Sequence, residues 1–317
     1  MTHYYTADSA PLALPATLPA PFSQRALRYL PEPGLVDAVN LSILLGQPLL
    51  LTGEAGTGKT RLAYHLAQQL QLGEPLKFET KSSSVARDLF YVYDYLPHFQ
   101  SAQTKQGSSD VRDYLHYHAL GEAILRTRAA TDIAPWVSAD FAHDAPRRSV
   151  VLIDEIDKAP RDFPNDLLNE VEGLYFRVPE LGNVKIAADP ALRPLLVLTS
   201  NSEKHLPAAF LRRCVYYHLP FPSADRLAEI VAMQLPELAD ASEFVHLAIV
   251  EFNRLRSAEY DLQKKPATAE LLAWLDALRR FYPDSANLLA EADAYPRTLP
   301  VLLKNSEDRE RVAQRRR

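Results

Sequence analysis

The feature that most constrains the fold is a glycine-rich segment between a short apolar run, Leu49–Thr52, and a helical pattern over Leu62–Leu70. This order matches the strand–loop–helix pattern that binds phosphate, because glycines let backbone N–H groups turn inward and a helix start adds its positive dipole end. Lys59 is expected to reach the β- and γ-phosphates, and the Thr60 hydroxyl to bind Mg²⁺. The residues predicted to bind the nucleotide are Gly53, Glu54, Ala55, Gly56, Thr57, Gly58, Lys59 and Thr60.

Four further apolar runs predict the rest of a buried sheet. Continuous rather than alternating apolar residues are typical of strands covered on both faces of a parallel sheet. The segments between the runs are long enough for crossover helices, so the predicted fold class is α/β, a three-layer αβα core with a five-stranded parallel sheet. The four runs are Leu76–Glu79, Val150–Ile153, Leu195–Thr199 and Val215–Leu219.

The chain of 317 residues suits one large or two ordinary domains, and strand-like runs end at Phe221-Pro222. We therefore predict an αβα core over 25–221 and a small all-helical lid domain over 222–305. The Ala- and Pro-rich residues 1–24 are expected to form a flexible leader, and residues 306–317 a charged, solvated tail. The predicted helices are 24–44 in the core and 223–235, 243–256, 267–282 and 297–304 in the lid.

Composition excludes several classes of protein. Apolar residues make up 47% and charged residues 24% of the chain, which excludes a disordered protein. The net charge of −5 is unlike that of a basic nucleic-acid-binding domain, so nucleic acid is not an expected partner. No long apolar stretch predicts a membrane span. The single cysteine, Cys214, is expected to be a small buried residue in a reducing, cytoplasmic protein.

Two adjacent acids, Asp154 and Glu155, follow the apolar run Val150–Ile153. Ligands of α/β sheets bind at the carboxyl ends of the strands, so both side chains are expected near the phosphates. Asp154 is predicted to hold Mg²⁺ through its water shell, and Glu155 to act as the general base that polarises the attacking water. For such a pair on its own, a solvated turn after a strand is the alternative.

Two later positions complete the predicted catalytic set. Asn201 follows a predicted strand, and its amide is expected to face the γ-phosphate and the attacking water; a turn-forming Asn is the alternative. Arg212 and Arg213 precede the last predicted strand. An arginine that reaches the γ-phosphate in a neighbouring subunit would neutralise charge that develops in the transition state. The alternative is that both arginines form surface ion pairs.

These motifs in this order resemble the AAA+ ATPases, and within them the MoxR-like group of the helix-2-insert class. The resemblance covers about residues 25–305. In the terms of that family, Gly53–Thr60 is similar to the Walker A loop, the Asp154-Glu155 pair to Walker B and Asn201 to sensor 1. Arg213, with Arg212 as the alternate, is similar to the arginine finger.

The resemblance implies further details and one departure. It implies a long insertion over about 85–135, a hairpin over 174–186 and a restraint on the predicted base by Thr80. Members of the family often carry an arginine, sensor 2, where this chain has Ala269. Either a lysine of the Lys264-Lys265 pair substitutes for it, or the lid reads the nucleotide without that contact, so sensor 2 stays unassigned.

The function that the resemblance implies is Mg²⁺-dependent ATP hydrolysis by a homo-hexameric ring whose sites are shared between subunits. Such proteins typically remodel or activate a partner, often one that carries a von Willebrand factor A domain, in a chaperone-like manner. A nucleotide-dependent switch or scaffold in a signalling or defence complex is the alternative. A DNA motor or loader is disfavoured by the acidic net charge.

Overall fold

The computed structural model describes residues 28–104, 108–201, 206–238, 240–282 and 294–315, so the predicted leader over 1–24 lies outside the described residues. The strands are β1 (Leu49–Thr52), β2 (Leu76–Glu79), β3 (Tyr91–Tyr93), β4 (Leu115–Tyr117), β5 (Val150–Asp154), β6 (Tyr175–Val178), β7 (Val184–Ala187), β8 (Leu195–Ser200) and β9 (Val215–His218).

The chain forms two compact units. The core unit comprises Pro31–Glu54 and Gly58–Pro220. The helical unit comprises the described parts of Met1–Leu30, Ala55–Thr57 and Phe221–Arg317. The helices are α1 (Pro33–Leu45), α2 (Lys59–Gln69), α3 (Tyr95–Thr104), α4 (Ala119–Leu125), α5 (Ala130–Ile133), α6 (Phe163–Asp166), α7 (Leu168–Gly173), α8 (Ala208–Leu211), α9 (Ala224–Gln234), α10 (Ser242–Arg256), α11 (Thr268–Phe281), α12 (Ala294–Leu302) and α13 (Ser306–Arg315).

The core unit contains a parallel sheet in the order β2-β5-β8-β1-β9. Its five strands are the five predicted from the apolar runs, and helices flank the sheet, so the predicted αβα fold class is confirmed. β1 and the first four residues of β5 are fully buried, which is why their sequences are apolar without alternation. The register pairs Thr52 with Ser200 and Glu79 with Asp154, so the polar residues that end these strands lie at one edge of the sheet.

Two antiparallel hairpins accompany the sheet. The pair β3–β4 lies in the predicted insertion, and the pair β6–β7 confirms the hairpin predicted over 174–186. Tyr91 and Tyr95, in and just after β3, both donate hydrogen bonds to the carboxylate of Glu180 between β6 and β7, at 2.9 and 2.7 Å. These bonds join the insertion to the hairpin.

The first helix of the core begins later than predicted. The apolar pattern indicates a helix from residue 24, but residues 28–32 are not helical and α1 begins at Pro33. Proline is favoured in the first turn of a helix and disfavoured in its interior, so the Pro31/Pro33 pair excludes an earlier start across this segment.

The helices of the helical unit are α9 to α13, and they pack around the buried side chains of Trp274, Phe244 and Phe252. Residues 306–315, predicted to be part of a solvated tail, instead form α13, and its Val312 is 1% exposed. Contacts with a distant segment hold α13 in place. The buried Asp308 carboxylate accepts hydrogen bonds from the backbone N–H groups of Gln263 and Lys264 at 2.9 and 3.1 Å. Among the described residues, no helix combines the length and the apolar character needed to cross a membrane.

Candidate nucleotide-binding site

The glycine-rich loop joins β1 to α2 and has a backbone that favours glycine. Gly56 and Gly58 have φ values of 78° and 97°, in the left-handed region that side chains disfavour. Helix α2 starts at Lys59 without a side-chain cap. Because a helix N-terminus attracts anions through its N–H groups and dipole, the strand, loop and helix are arranged as phosphate binding requires.

Lys59 is the buried cation of this loop. Its side chain is directed back into the loop, where Nζ donates hydrogen bonds to the carbonyl oxygens of Gly53 and Glu54 at 2.9 and 2.8 Å, and the residue is 6% exposed. Burial lowers the pKa of Lys59, and the nearby carboxylates, led by Asp157 and then Asp154, partly oppose that shift. A phosphate bound to the loop would supply a further anion to this ammonium group.

Thr60 and Asp154, the two predicted Mg²⁺ ligands, are in direct contact. The Thr60 hydroxyl donates to Asp154 Oδ1 at 2.9 Å, although the two residues are 94 positions apart in the chain. A hydroxyl and a carboxylate are hard oxygen ligands of the kind that Mg²⁺ prefers, so this pair fits the cation. The second carboxylate oxygen, Oδ2, lies 3.2 Å from Nζ of Lys77 on β2.

The carboxylate of Glu155 has a hydrogen-bond donor on each oxygen. Asn201 Nδ2 donates to Oε1 at 3.0 Å, and Lys158 Nζ donates to Oε2. The Glu155 backbone is left-handed, with φ 55° and ψ 51°, a conformation that costs a non-glycine residue energy. The side chains of Glu155 and Asn201 thus lie together beside the Asp154 and Thr60 pair.

Thr199 connects the two acids, a role that the sequence reading missed. Its hydroxyl donates to Asp154 Oδ1 at 2.6 Å and accepts from the backbone N–H of Glu155 at 2.9 Å. Asp157 was also missed; its carboxylate accepts from the backbone N–H of Asn201 at 3.1 Å. The available signals were a hydroxyl near the end of an apolar run and a third acid in Asp154-Glu155-Ile156-Asp157.

The expected restraint of Glu155 by Thr80 is wrong. Within the described part of the chain, the buried hydroxyl of Thr80 has no hydrogen-bond partner, while its backbone N–H donates to the carbonyl oxygen of Asp154 at 3.1 Å. The Glu155 carboxylate instead accepts hydrogen bonds from Asn201 and Lys158.

The structure does not bring Arg212 and Arg213 to the site in their own chain. They precede β9, whereas Lys59 follows β1, and these neighbouring strands are parallel with Leu49 opposite Val215. The arginines therefore lie at the amino edge of the sheet and the loop at its carboxyl edge, with about 13 Å of strand between them.

The surroundings of the two arginines are those of a surface groove. Arg213 Nε donates to Glu172 Oε2 at 3.0 Å, and its side chain is 42% exposed. Both arginines line the groove, of about 480 Å³, together with Cys214. Burial raises the pKa of the Cys214 thiol to about 12, so the thiol is neutral at physiological pH and is a poor nucleophile.

The fold and the site define a P-loop protein with an αβα core. The chain belongs to the AAA domain family (dynein-related subfamily), which matches residues 48–214. Two solved structures of RuvB variants from Thermotoga maritima are similar to this chain at 16% and 15% identity, each with a TM-score of 0.46. The two alignments cover 87% and 84% of this chain, and 69% and 67% of the respective RuvB chains. Among curated protein sequences, none matches this chain significantly.

Proposed function

We propose that this protein is an ATPase that binds Mg²⁺ and ATP at the loop Gly53–Thr60 and hydrolyses ATP at the adjoining strand ends. The observation that carries the proposal is the contact between Asn201 and Glu155 next to that between Thr60 and Asp154. A phosphate loop, a cation site, an acid and an amide are the parts that phosphoryl transfer to water requires. Membership of the AAA domain family supports the same activity, because such domains generally hydrolyse ATP.

In the proposed reaction, the loop N–H groups and Lys59 would bind the phosphates, and Thr60 and Asp154 would hold the Mg²⁺. When bound, Mg²⁺ would neutralise charge on the phosphate oxygens. Glu155 accepts a proton from the attacking water, for which one carboxylate oxygen must exchange its present donor for that water. Asn201 holds the other oxygen and so orients the base.

We also propose that the active form is a ring, a homo-hexamer in the manner of the MoxR-like group, in which Arg213 or Arg212 of one subunit completes the site of the next. The position of both arginines at the opposite edge of the sheet from Lys59 supports a site shared between subunits. Such a ring would remodel a partner protein in a chaperone-like manner. The first candidate for this partner is a protein with a von Willebrand factor A domain.

Nucleotide-dependent assembly and turnover test this proposal together. Particle masses are measured without nucleotide, with ADP and with a non-hydrolysable ATP analogue, and ATPase rates are measured with and without duplex DNA. We expect assembly with the ATP analogue and turnover that DNA does not change. Assembly without turnover would instead indicate the switch or scaffold, and turnover that depends on DNA would indicate a DNA motor. A monomer in every condition would contradict the ring.

A further inference from the structure

Lys77 places a positive charge beside the candidate Mg²⁺ ligand Asp154. Lys77 and Glu79 are two residues apart on β2, so their side chains lie on the same face of the strand, and Glu79 is opposite Asp154 in the register with β5. The Lys77 ammonium lies 2.6 Å from Glu79 Oε1 and 3.2 Å from Asp154 Oδ2. It therefore bridges the two carboxylates.

Both oxygens of the Asp154 carboxylate are engaged in this arrangement. Oδ1 accepts hydrogen bonds from the hydroxyls of Thr60 and Thr199 at 2.9 and 2.6 Å, and Oδ2 is paired with Lys77. The Asp154 side chain is 13% exposed and that of Lys77 28% exposed, so solvent and salt screen this pair less than a fully exposed one. A cation that approaches Asp154 meets an oxygen that already has a positive partner.

We propose that Lys77 competes with the divalent cation for Asp154 and thereby weakens the coupling between Mg²⁺ and nucleotide binding. Lys77 is a positioning residue, since it acts through Asp154. To hold Mg²⁺, Asp154 would give up its pairing with the Lys77 ammonium, while Glu79 would keep Lys77 in place. Repulsion between the ammonium and the metal adds to the cost of this exchange.

The test measures the affinity of a fluorescent, non-hydrolysable ATP analogue in EDTA and in saturating Mg²⁺ at constant ionic strength. The coupling ratio is the dissociation constant in EDTA divided by the dissociation constant in Mg²⁺. It reports how strongly Mg²⁺ favours nucleotide binding, and its measurement requires no ATP turnover. Lys77→Met removes the charge and keeps the length of the side chain, whereas Lys77→Arg keeps the charge. Lys81→Met is the matched control, since Lys81 is an exposed lysine just after the same strand.

We expect the coupling ratio to rise by at least about threefold in Lys77→Met, because a positive charge beside the cation has been removed. In Lys77→Arg and Lys81→Met the ratio should stay near the wild-type value. An unchanged or lower ratio in a folded Lys77→Met protein, or an equal rise in Lys81→Met, would overturn the inference while leaving the nucleotide site intact. This inference rests on the proposed function, so a wild-type protein that binds the analogue in neither condition would overturn both.

Discussion

The side-chain amide of Asn201 donates a hydrogen bond to the carboxylate of Glu155 at 3.0 Å, across 46 positions of sequence. The contact exists because β8 lies next to β5 in the sheet, so the residues that follow these strands meet at the same edge. The amide donor holds the Glu155 carboxylate in one orientation. Under the proposed function, Asn201 and Glu155 therefore act together, with the amide orienting the carboxylate.

Replacement of Lys59 by alanine should abolish ATP binding. The change removes the buried ammonium group that hydrogen-bonds to Gly53 and Glu54 within the phosphate loop. Titration with a fluorescent ATP analogue measures the loss, with Lys81→Ala as a control that removes an exposed charge elsewhere. Near-normal affinity in a folded Lys59→Ala protein would mean that the loop is not the phosphate site.

Replacement of Thr199 by valine should slow ATP turnover by about 10- to 100-fold, because both acids lose the hydroxyl that positions them. The backbone N–H of Glu155 also loses its acceptor, so the free energy of unfolding should fall by about 1–3 kcal/mol. Steady-state ATPase rates and urea unfolding measure the two effects. Thr199→Ser keeps the hydroxyl and should remain close to wild type; equal losses in both variants would refute a role for the hydroxyl.

Arg213→Ala should bind ATP with near-normal affinity and hydrolyse it slowly, since arginine fingers contribute about 10³–10⁵ in kcat. Mixing it with Lys59→Ala subunits should restore some activity, because in the proposed ring an intact loop in one subunit would meet the arginine of another. Glu172→Gln is the control: it breaks the Arg213 ion pair and leaves the arginine. If Glu172→Gln reproduces the loss, or if mixed oligomers form but stay inactive, Arg213 is a structural ion-pair residue.

Asp308→Ala should lower the free energy of unfolding by about 1.5–3 kcal/mol at neutral pH. Burial opposes ionisation, but hydrogen bonds from Gln263, Lys264 and Asn305 outweigh it and lower the pKa of Asp308. The stabilisation is therefore present above the unfolded-state pKa and is lost as the pH falls through the lower folded-state pKa. Urea unfolding across this acidic range measures it. The exposed Glu310→Ala is the control, and a pH-independent difference between wild type and Asp308→Ala would contradict the assignment.

Local sequence patterns predicted the parts of the fold that local chemistry determines. The five core strands were predicted because each is an apolar run, and the loop Gly53–Thr60 because its glycines and Lys59 are contiguous. Thr199 and Lys77 were missed because their partner, Asp154, is on another strand. Those contacts depend on the strand order β2-β5-β8, which no single segment contains.

Two predictions from the sequence, one about Thr80 and one about residues 306–315, were wrong for the same reason. Thr80 was expected to restrain Glu155, but the Glu155 carboxylate accepts a hydrogen bond from Asn201, 46 positions away, and among the described residues the Thr80 hydroxyl has no hydrogen-bond partner. Helix α13 was read as a tail because its sequence is mostly charged and Val312 is buried only through packing in the helical unit. In both cases the deciding interaction is between segments far apart in the chain.

Hydrolysis by Glu155→Gln, compared with wild type under saturating ATP and Mg²⁺, tests the central claim most directly. An amide keeps the shape of the side chain and cannot accept the proton, so turnover should fall by about 10²–10⁴ while ATP affinity stays near the wild-type value. The variant should also retain ATP and the assembled state. A folded Glu155→Gln protein that hydrolyses ATP at more than about half the wild-type rate would contradict the account, because the loss of a general base is far larger than that.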